Sequence, residues 1–263
     1  MPDPRELMEV ALAAARAGVA AQRAHAGRIA LEEWSEKGAA DFVSFVDVEA
    51  ERRILAVIRE RFPDHAVLGE EAAAGLLGPE AAPAPGAAAD WLWIVDPLDG
   101  TTNYLHGYPV YSASVAVACR GELVAGAVVS GATGEEWCAF RGGGAYRDGR
   151  PIRVSGIREL RRALIGTGFP FRAHHLLPRY LPQFDAVLRR TSGIRRAGSA
   201  ALDLCFVASG WLDGFWELVL EPWDVAAGTL IVREAGGVVT TLDGSPEVLG
   251  GGAILAGNPA VHR

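Results

Sequence analysis

Two carboxylates three residues apart, in the run Asp96-Pro97-Leu98-Asp99-Gly100-Thr101-Thr102-Asn103, are the groups in this chain best spaced to do chemistry. Proline fixes φ and carries no N–H, and Asp-Gly favours a tight reversal, so the backbone bends about a point. Both side chains and the Leu98 carbonyl then face one small volume. Hard oxygens crowded in this way are the donor set of Mg²⁺. Alone, Asp-Pro-x-Asp-Gly reads as a plain surface turn. Here the apolar stretch Trp91-Leu92-Trp93-Ile94-Val95 runs straight into it, which puts the turn at the carboxyl end of a core strand, where α/β ligand sites form.

Further acids sit at comparable places. Ala66-Val67-Leu68-Gly69 is a second apolar strand, ending in Glu70-Glu71. Glu221-Pro222-Trp223-Asp224 opens a helical stretch with Asp224 at or near its N-cap and Gly236-Gly237 as its stop. The segment from Lys37 to Asp47 places one more acid just before an amphipathic helix. Taken singly, Asp224 is a helix cap and Thr101 and Thr102 are turn residues.

Together these segments, with Arg195-Arg196-Ala197-Gly198-Ser199-Ala200-Ala201-Leu202-Asp203-Leu204, resemble the inositol monophosphatase family of Mg²⁺-dependent, lithium-sensitive phosphatases, and its bacterial branch most. The resemblance covers nearly the whole chain. It implies a mixed α+β and α/β architecture, the layered α-β-α-β-α sandwich of the sugar phosphatases. All 263 residues would form one unit, an α+β half to about residue 152 and an α/β half beyond it. It implies two or more Mg²⁺ per site: Glu70, Asp96 and the Leu98 carbonyl holding the first, Asp96, Asp99 and Asp224 the second. Glu70 and Thr101 would orient the attacking water, with Asp47 behind Thr101. Gly100, Thr101 and Thr102 would cradle the phosphate, and Arg195, Gly198, Ser199, Ala200 and Glu217 would meet the rest of the substrate. Glu221 departs from the basic residue that bacterial relatives often carry there.

The implied reaction is hydrolysis of myo-inositol 1-phosphate. Fructose-1,6-bisphosphatase, histidinol-phosphate phosphatase and 3′-phosphoadenosine-nucleotide phosphatase share the metal motifs. A regulatory partner of the transcription machinery is the alternative outside enzymology. A homodimer acting on a small phosphorylated polyol or sugar is the family expectation.

Composition narrows the classes. The net charge of −7 argues against nucleic-acid binding through bulk electrostatics, whereas bound cations would still let an anionic substrate approach. The amino end lacks an apolar signal core and no apolar run reaches the ~20 residues that span a bilayer, so a cytoplasmic protein is expected. Cys119, Cys138 and Cys205 stand alone on apolar stretches and read as buried thiols. Lys37 is the sole lysine, asparagine occurs only at 103 and 258, and glutamine only at 22 and 183. Such depletion of amides fits a thermophile and equally a GC-rich genome.

The elements that must position these groups follow from periodicity. Apolar spacing predicts helices from about Pro4 to Ala26, after Asp47, over Leu176–Arg190 and over Ser199–Ser209. Strands are predicted at Tyr111–Cys119, Leu123–Val129, Glu135–Phe140, Ala163–Thr167, Gly214–Leu218 and Ala253–Ala256. Gly142-Gly143-Gly144 lacks the Gly-Lys-Ser/Thr of a phosphate loop and reads as part of a hairpin closed at Asp148-Gly149. Ala72–Ala89, rich in Ala, Pro and Gly, reads as a mobile surface loop between two ligand-bearing turns.

Overall fold

The computed structural model describes residues 2–30, 34–38, 41–77 and 90–263. Most of the loop expected over 72–89, and the side chain of Lys37, lie outside these residues. Helix α1, Pro4–His25, starts where the sequence marks it: Asp3 accepts from the Arg5 amide at 3.0 Å and Pro4 occupies the first turn. Its buried face is small apart from Leu7 and Gln22, so neighbours approach closely. A Cβ at Gly18 would lie 2.8 Å from Ile54. Two short strands, β1 (Ser35–Gly38) and β2 (Asp41–Val43), pair antiparallel and lead into α2, Phe45–Arg61. Asp47 therefore lies inside the helix rather than before it. Ser44 is the N-cap, and Asp47 turns back to accept from the Ser44 amide.

Strand β3 (Ala66–Gly69) runs into the single turn α3 (Glu70–Ala73). Strand β4 (Trp91–Asp99) is followed by the short α4 (Thr101–Leu105). Then come β5 (Ser112–Cys119), β6 (Glu122–Ser130), β7 (Glu136–Phe140), β8 (Gly144–Arg147) and β9 (Arg150–Pro151). The seven strands from β3 to β9 form one sheet in chain order, with β3–β4 parallel and the rest antiparallel. Asp148 and Gly149 both have positive φ and close the two-residue hairpin the sequence predicted. The triple glycine does hold an anion, but its own: the Gly142 and Gly144 amides each donate at 2.9 Å to the Glu234 carboxylate.

The second half builds β10 (Leu164–Thr167), α5 (Leu177–Leu188), β11 (Gly193–Arg195), α6 (Ala200–Ala208), β12 (Gly214–Leu220), α7 (Pro222–Glu234), β13 (Val238–Thr240) and β14 (Gly252–Gly257). Its five-stranded sheet has the order β11-β10-β12-β14-β13. Helix α5 begins one residue later than expected, after a 3-10 turn over His174–Leu176, with Pro178 in its first turn.

Alternation along the first sheet decides the layers. Trp93, Val95, Val115, Val117, Ala125 and Ala127 pack against α1 and α2. Their neighbours Ile94, Ala116, Ala118 and Val128 face α6 and α7 on the other side. Burial on both faces explains why these strands read as unbroken apolar runs rather than as alternation. Helices α6 and α7 in turn cover one face of the second sheet, through Phe215, Ile254 and Ala256. Tyr180, Phe184 and Val187 of α5 cover the other, on Ile165, Trp216 and Leu218. The layers are α-β-α-β-α. No helix of the described residues is long and apolar enough to cross a membrane. Of the three free cysteines, Cys138 and Cys205 are buried and Cys119 is half-buried.

Candidate active site

The acidic turn is a β-bulge. Asp96 pairs with Ser114 and Asp99 with Ser112, so Pro97 and Leu98 oppose the single residue Ala113. Proline is at home in such a break, having no N–H to lose from the ladder. The Leu98 amide turns inward and donates to Asp96 Oδ1 at 3.0 Å. Gly100 follows at φ +93, and a Cβ there would lie 2.9 Å from the Val110 carbonyl and 3.2 Å from that of Gly198. Only glycine fits this corner. Asn103, one of two asparagines, fastens the corner from behind: its amide donates to Val110 O at 2.7 Å and Ala197 O at 2.9 Å.

The second half arrives at the same point. Asp224, third residue of α7, accepts from the Glu221 amide at 2.7 Å and stands half-buried. One oxygen from each of Asp96, Asp99 and Asp224 lies within 4.8 Å of the others. Glu70, first residue of α3, adds its charge to all three. The turn bearing it is held by buried Glu51, whose carboxylate accepts from the Glu71 amide at 2.8 Å and the Ala72 amide at 3.1 Å. The sequence reading missed Glu51, because the contact spans 20 residues.

Electrostatically the cluster is set against itself. Burial first, then the charges of Glu70, Asp99 and Asp224, lift the Asp96 carboxyl well above its ordinary range. Burial pushes Asp99 up to about 6 against the pull of Ser199 and the Ala201 and Ala200 amides. Burial, with the Asp99 charge second, pushes Asp224 up to about 8. The donors on Asp99 are explicit: the Ser199 hydroxyl and the Ala201 amide, at 2.8 Å, both meet Oδ2. Buried hard oxygens that cannot all ionise alone are what a divalent cation fits, since its charge removes the conflict.

Beside the acids lies a hydroxyl–carboxylate pair. Thr101 Oγ1 is 3.1 Å from Asp47 Oδ1 and 3.0 Å from the Leu98 carbonyl. With one hydrogen to give, it donates to Asp47 whenever the Leu98 carbonyl serves another partner. Asp47 is buried, and its Oδ2 already accepts from the Ser44 amide and hydroxyl, each at 2.8 Å.

On the substrate side, Gly198-Ser199-Ala200 opens α6, with Ser199 buried as its N-cap. Thr102 is exposed at the start of α4. Glu217 on β12 fills the space over Gly168, where a Cβ would meet its carboxyl at 1.9 Å. Burial and then Asp224, with Asp203 behind it, lift its acid well above the usual range. Arg195 is exposed, its Nη1 donating to its neighbour Ile194 at 2.9 Å. Arg196, exposed as well, lies over Phe169 at 5.6 Å and Phe171 at 5.0 Å, and its charge acts on Glu217 and Asp203. Arg172 likewise acts on Asp224. Neither role was legible, because both depend on which way a loop turns.

This geometry defines a carboxylate-lined site suited to metal-assisted attack on a phosphate ester. The inositol monophosphatase family model matches residues 3–263, and the chain belongs to that family. It is 44% identical over 254 residues to the Nus factor SuhB of Pseudomonas aeruginosa, covering 96% of this chain and 91% of that protein. It is 40% identical over 262 residues to a protein of Aquifex aeolicus named fructose-1,6-bisphosphatase/inositol-1-monophosphatase, covering 100% and 94%. Among solved structures, the inositol monophosphatase of Anabaena superimposes with a TM-score of 0.84 at 34% identity, covering 100% of this chain and 94% of that one.

Proposed function

We propose that this chain is a Mg²⁺-dependent phosphomonoesterase whose substrate is myo-inositol 1-phosphate. The observation that carries the reading is the convergence of Asp96, Asp99 and Asp224, from both halves of the chain, within 4.8 Å beside the Thr101–Asp47 pair. Glu70, Asp96 and the Leu98 carbonyl would hold one Mg²⁺, and Asp96, Asp99 and Asp224 another. Bound there, Mg²⁺ would supply Lewis acidity toward phosphoryl oxygens and acidify a water molecule.

The remaining work belongs to the chain. Thr101 gives its hydrogen to Asp47 and so turns its lone pairs toward a water hydrogen. Glu70 accepts the proton as that water attacks phosphorus and the P–O ester bond breaks, and the leaving alkoxide takes a proton from solvent water to become the free hydroxyl. Gly100, Thr101 and Thr102 orient the phosphate at the start of α4. Ser199 and Ala201 fix Asp99 by hydrogen bonds that precede substrate, so no reorganisation is needed at the moment of reaction. Glu217, held toward its protonated form, donates to a ring hydroxyl beside Gly198 and Ala200.

A second reading, fructose-1,6-bisphosphatase, is favoured by Arg172 and Arg196. Two guanidinium groups acting on the site's acids offer fixed charge to a second phosphate. A role with the transcription machinery beside catalysis is supported by the likeness to a relative named as a Nus factor. Steady-state kinetics on a panel of phosphate monoesters and bisphosphates, with Mg²⁺ and a lithium series against sodium, tests the proposal. The highest kcat/KM is expected for inositol 1-phosphate, with inhibition by lithium. A higher value for fructose 1,6-bisphosphate selects the second reading, and no turnover of any ester removes both.

A further inference from the structure

We infer that Gln22 is a positioning residue for the cation site, holding the Asp96–Asp99 bulge in its ligating shape from across the core; this rests on the site reading proposed above. Gln22 sits near the end of α1, fully buried, in a chain with only one other glutamine. Its Nε2 donates to the Pro97 carbonyl at 2.7 Å and to the Ser112 carbonyl at 3.1 Å. Those two carbonyls flank the break where β4 has two residues against one on β5. A bulge withdraws backbone groups from the ladder, and buried carbonyls then need another donor. A primary amide has two hydrogens, and here it finds two carbonyls.

The orientation of the amide follows from those neighbours, since the flipped form would press Oε1 against both carbonyl oxygens. In the orientation present, Oε1 is buried with no hydrogen-bond partner among the described residues. Gly131 leaves room for it: a Cβ there would lie 2.4 Å away. A group that leaves its own acceptor unpaired in the core is held for its donors, not as filler. The main chain of the same residue ties down the other side of the turn. Tyr104 of α4 donates its hydroxyl to the Gln22 carbonyl at 2.7 Å. Gln22 thus grips the loop at 97 and at 104, on either side of Leu98, Asp99 and Thr101. It touches no substrate and acts through the turn.

The test is calorimetric titration with Mg²⁺ alone, at a temperature well below melting. Gln22→Met keeps length and volume and removes both donors; Gln22→Asn keeps the amide on a shorter stem. Leu7→Val, 15 residues earlier on the same helix and buried away from the turn, reports what loss of stability alone does. Partners behind metal ligands are typically worth about 10–100-fold in affinity. Gln22→Met is therefore expected to raise the Mg²⁺ Kd at least about tenfold, Gln22→Asn by less, and Leu7→Val by under about twofold. A Kd for Gln22→Met within about twofold of wild type, with only the melting temperature lowered, would overturn the inference and leave the site reading standing. If Gln22→Met does not fold, an unchanged Kd in Gln22→Asn overturns it equally. Wild type that takes up no Mg²⁺ would remove the site reading, and this inference with it.

Discussion

The N-termini of α2 and α7 use one local device to different ends. Each helix carries an aspartate at its third position, and each aspartate turns back to its cap residue's amide: Asp47 to Ser44 at 2.8 Å, Asp224 to Glu221 at 2.7 Å. The cap residues differ. Ser44 also gives its hydroxyl to Asp47 Oδ2, and Thr101 reaches Oδ1, so both oxygens of Asp47 are engaged within the protein. Among the described residues Glu221 gives Asp224 only its amide, and Asp224 faces Asp96 and Asp99 instead. Whether donors reach both oxygens of the carboxylate, rather than its residue type or helix position, separates a hydroxyl-orienting aspartate from one open to a cation.

The comparison breaks most visibly under charge removal. Asp224→Asn keeps an oxygen for the Glu221 amide, so the helix cap and fold should survive. Mg²⁺ affinity should fall by more than about 100-fold, beyond what outer partners are usually worth. Asp47→Asn should do the reverse, lowering kcat about 100-fold at saturating Mg²⁺ and leaving the Mg²⁺ half-saturation nearly unchanged. Titrating both variants with Mg²⁺ and measuring kcat at the plateau separates the roles. Matching losses of Mg²⁺ affinity would mean the two aspartates are not distinguished in this way.

Proton uptake gives a second, smaller contrast. Asp99 and Asp224, at about 6 and about 8, lie above the ordinary value of 3.8. Between about pH 4 and 8 the metal-free folded state therefore binds more protons than the unfolded chain. Through these two groups, stability without metal falls as pH rises through that window. Saturating Mg²⁺ should flatten the slope, because the carboxylates are then ionised in both states. Binding at pH 7 should release protons, measurable by calorimetry in buffers of different ionisation enthalpy, and Asp224→Asn should release about one fewer, in line with its value near 8. A metal-free melting temperature that rises with pH across this window would contradict the assignment.

What the sequence made legible was local. Asp-Pro-x-Asp-Gly after an apolar run, Gly69-Glu70 after another, and Asp224 before a Gly-Gly stop each declare a turn and an acid within a few residues. The layers followed from unbroken apolar strands, and Asp148-Gly149 marked its hairpin. Asp47 lies inside its helix because Ser44 is the cap, and Ser-x-x-Asp is a variant of the capping pattern that apolar spacing does not reveal. Contacts across long separations left little local trace: Glu51 under α3, Asn103 against Ala197, Gln22 against Pro97. The scarcity of amides was the one hint, since Gln22, Asn103 and Asn258 each bridge backbone carbonyls or hydroxyls in the folded chain. Strands as short as Gly193–Arg195 and Val238–Thr240 exist only through their pairing and carry no periodicity to read.

The finest test converts one helix start toward the other. Glu221→Ser would place at the cap of α7 the hydroxyl that Ser44 supplies at α2. A hydroxyl donating to Asp224 Oδ2 favours its ionised form, so the value near 8 should move down. At pH 7 a group near 8 is about nine-tenths protonated, and one near 7 is about half protonated. The proton released from Asp224 on Mg²⁺ binding should fall by about 0.4 in the variant. Removing the exposed Glu221 charge also favours ionisation, so Glu221→Gln serves as the control. A larger drop for Ser than for Gln attributes the effect to the donated hydrogen. Equal drops would show that charge, not the donated hydrogen, separates Asp224 from Asp47.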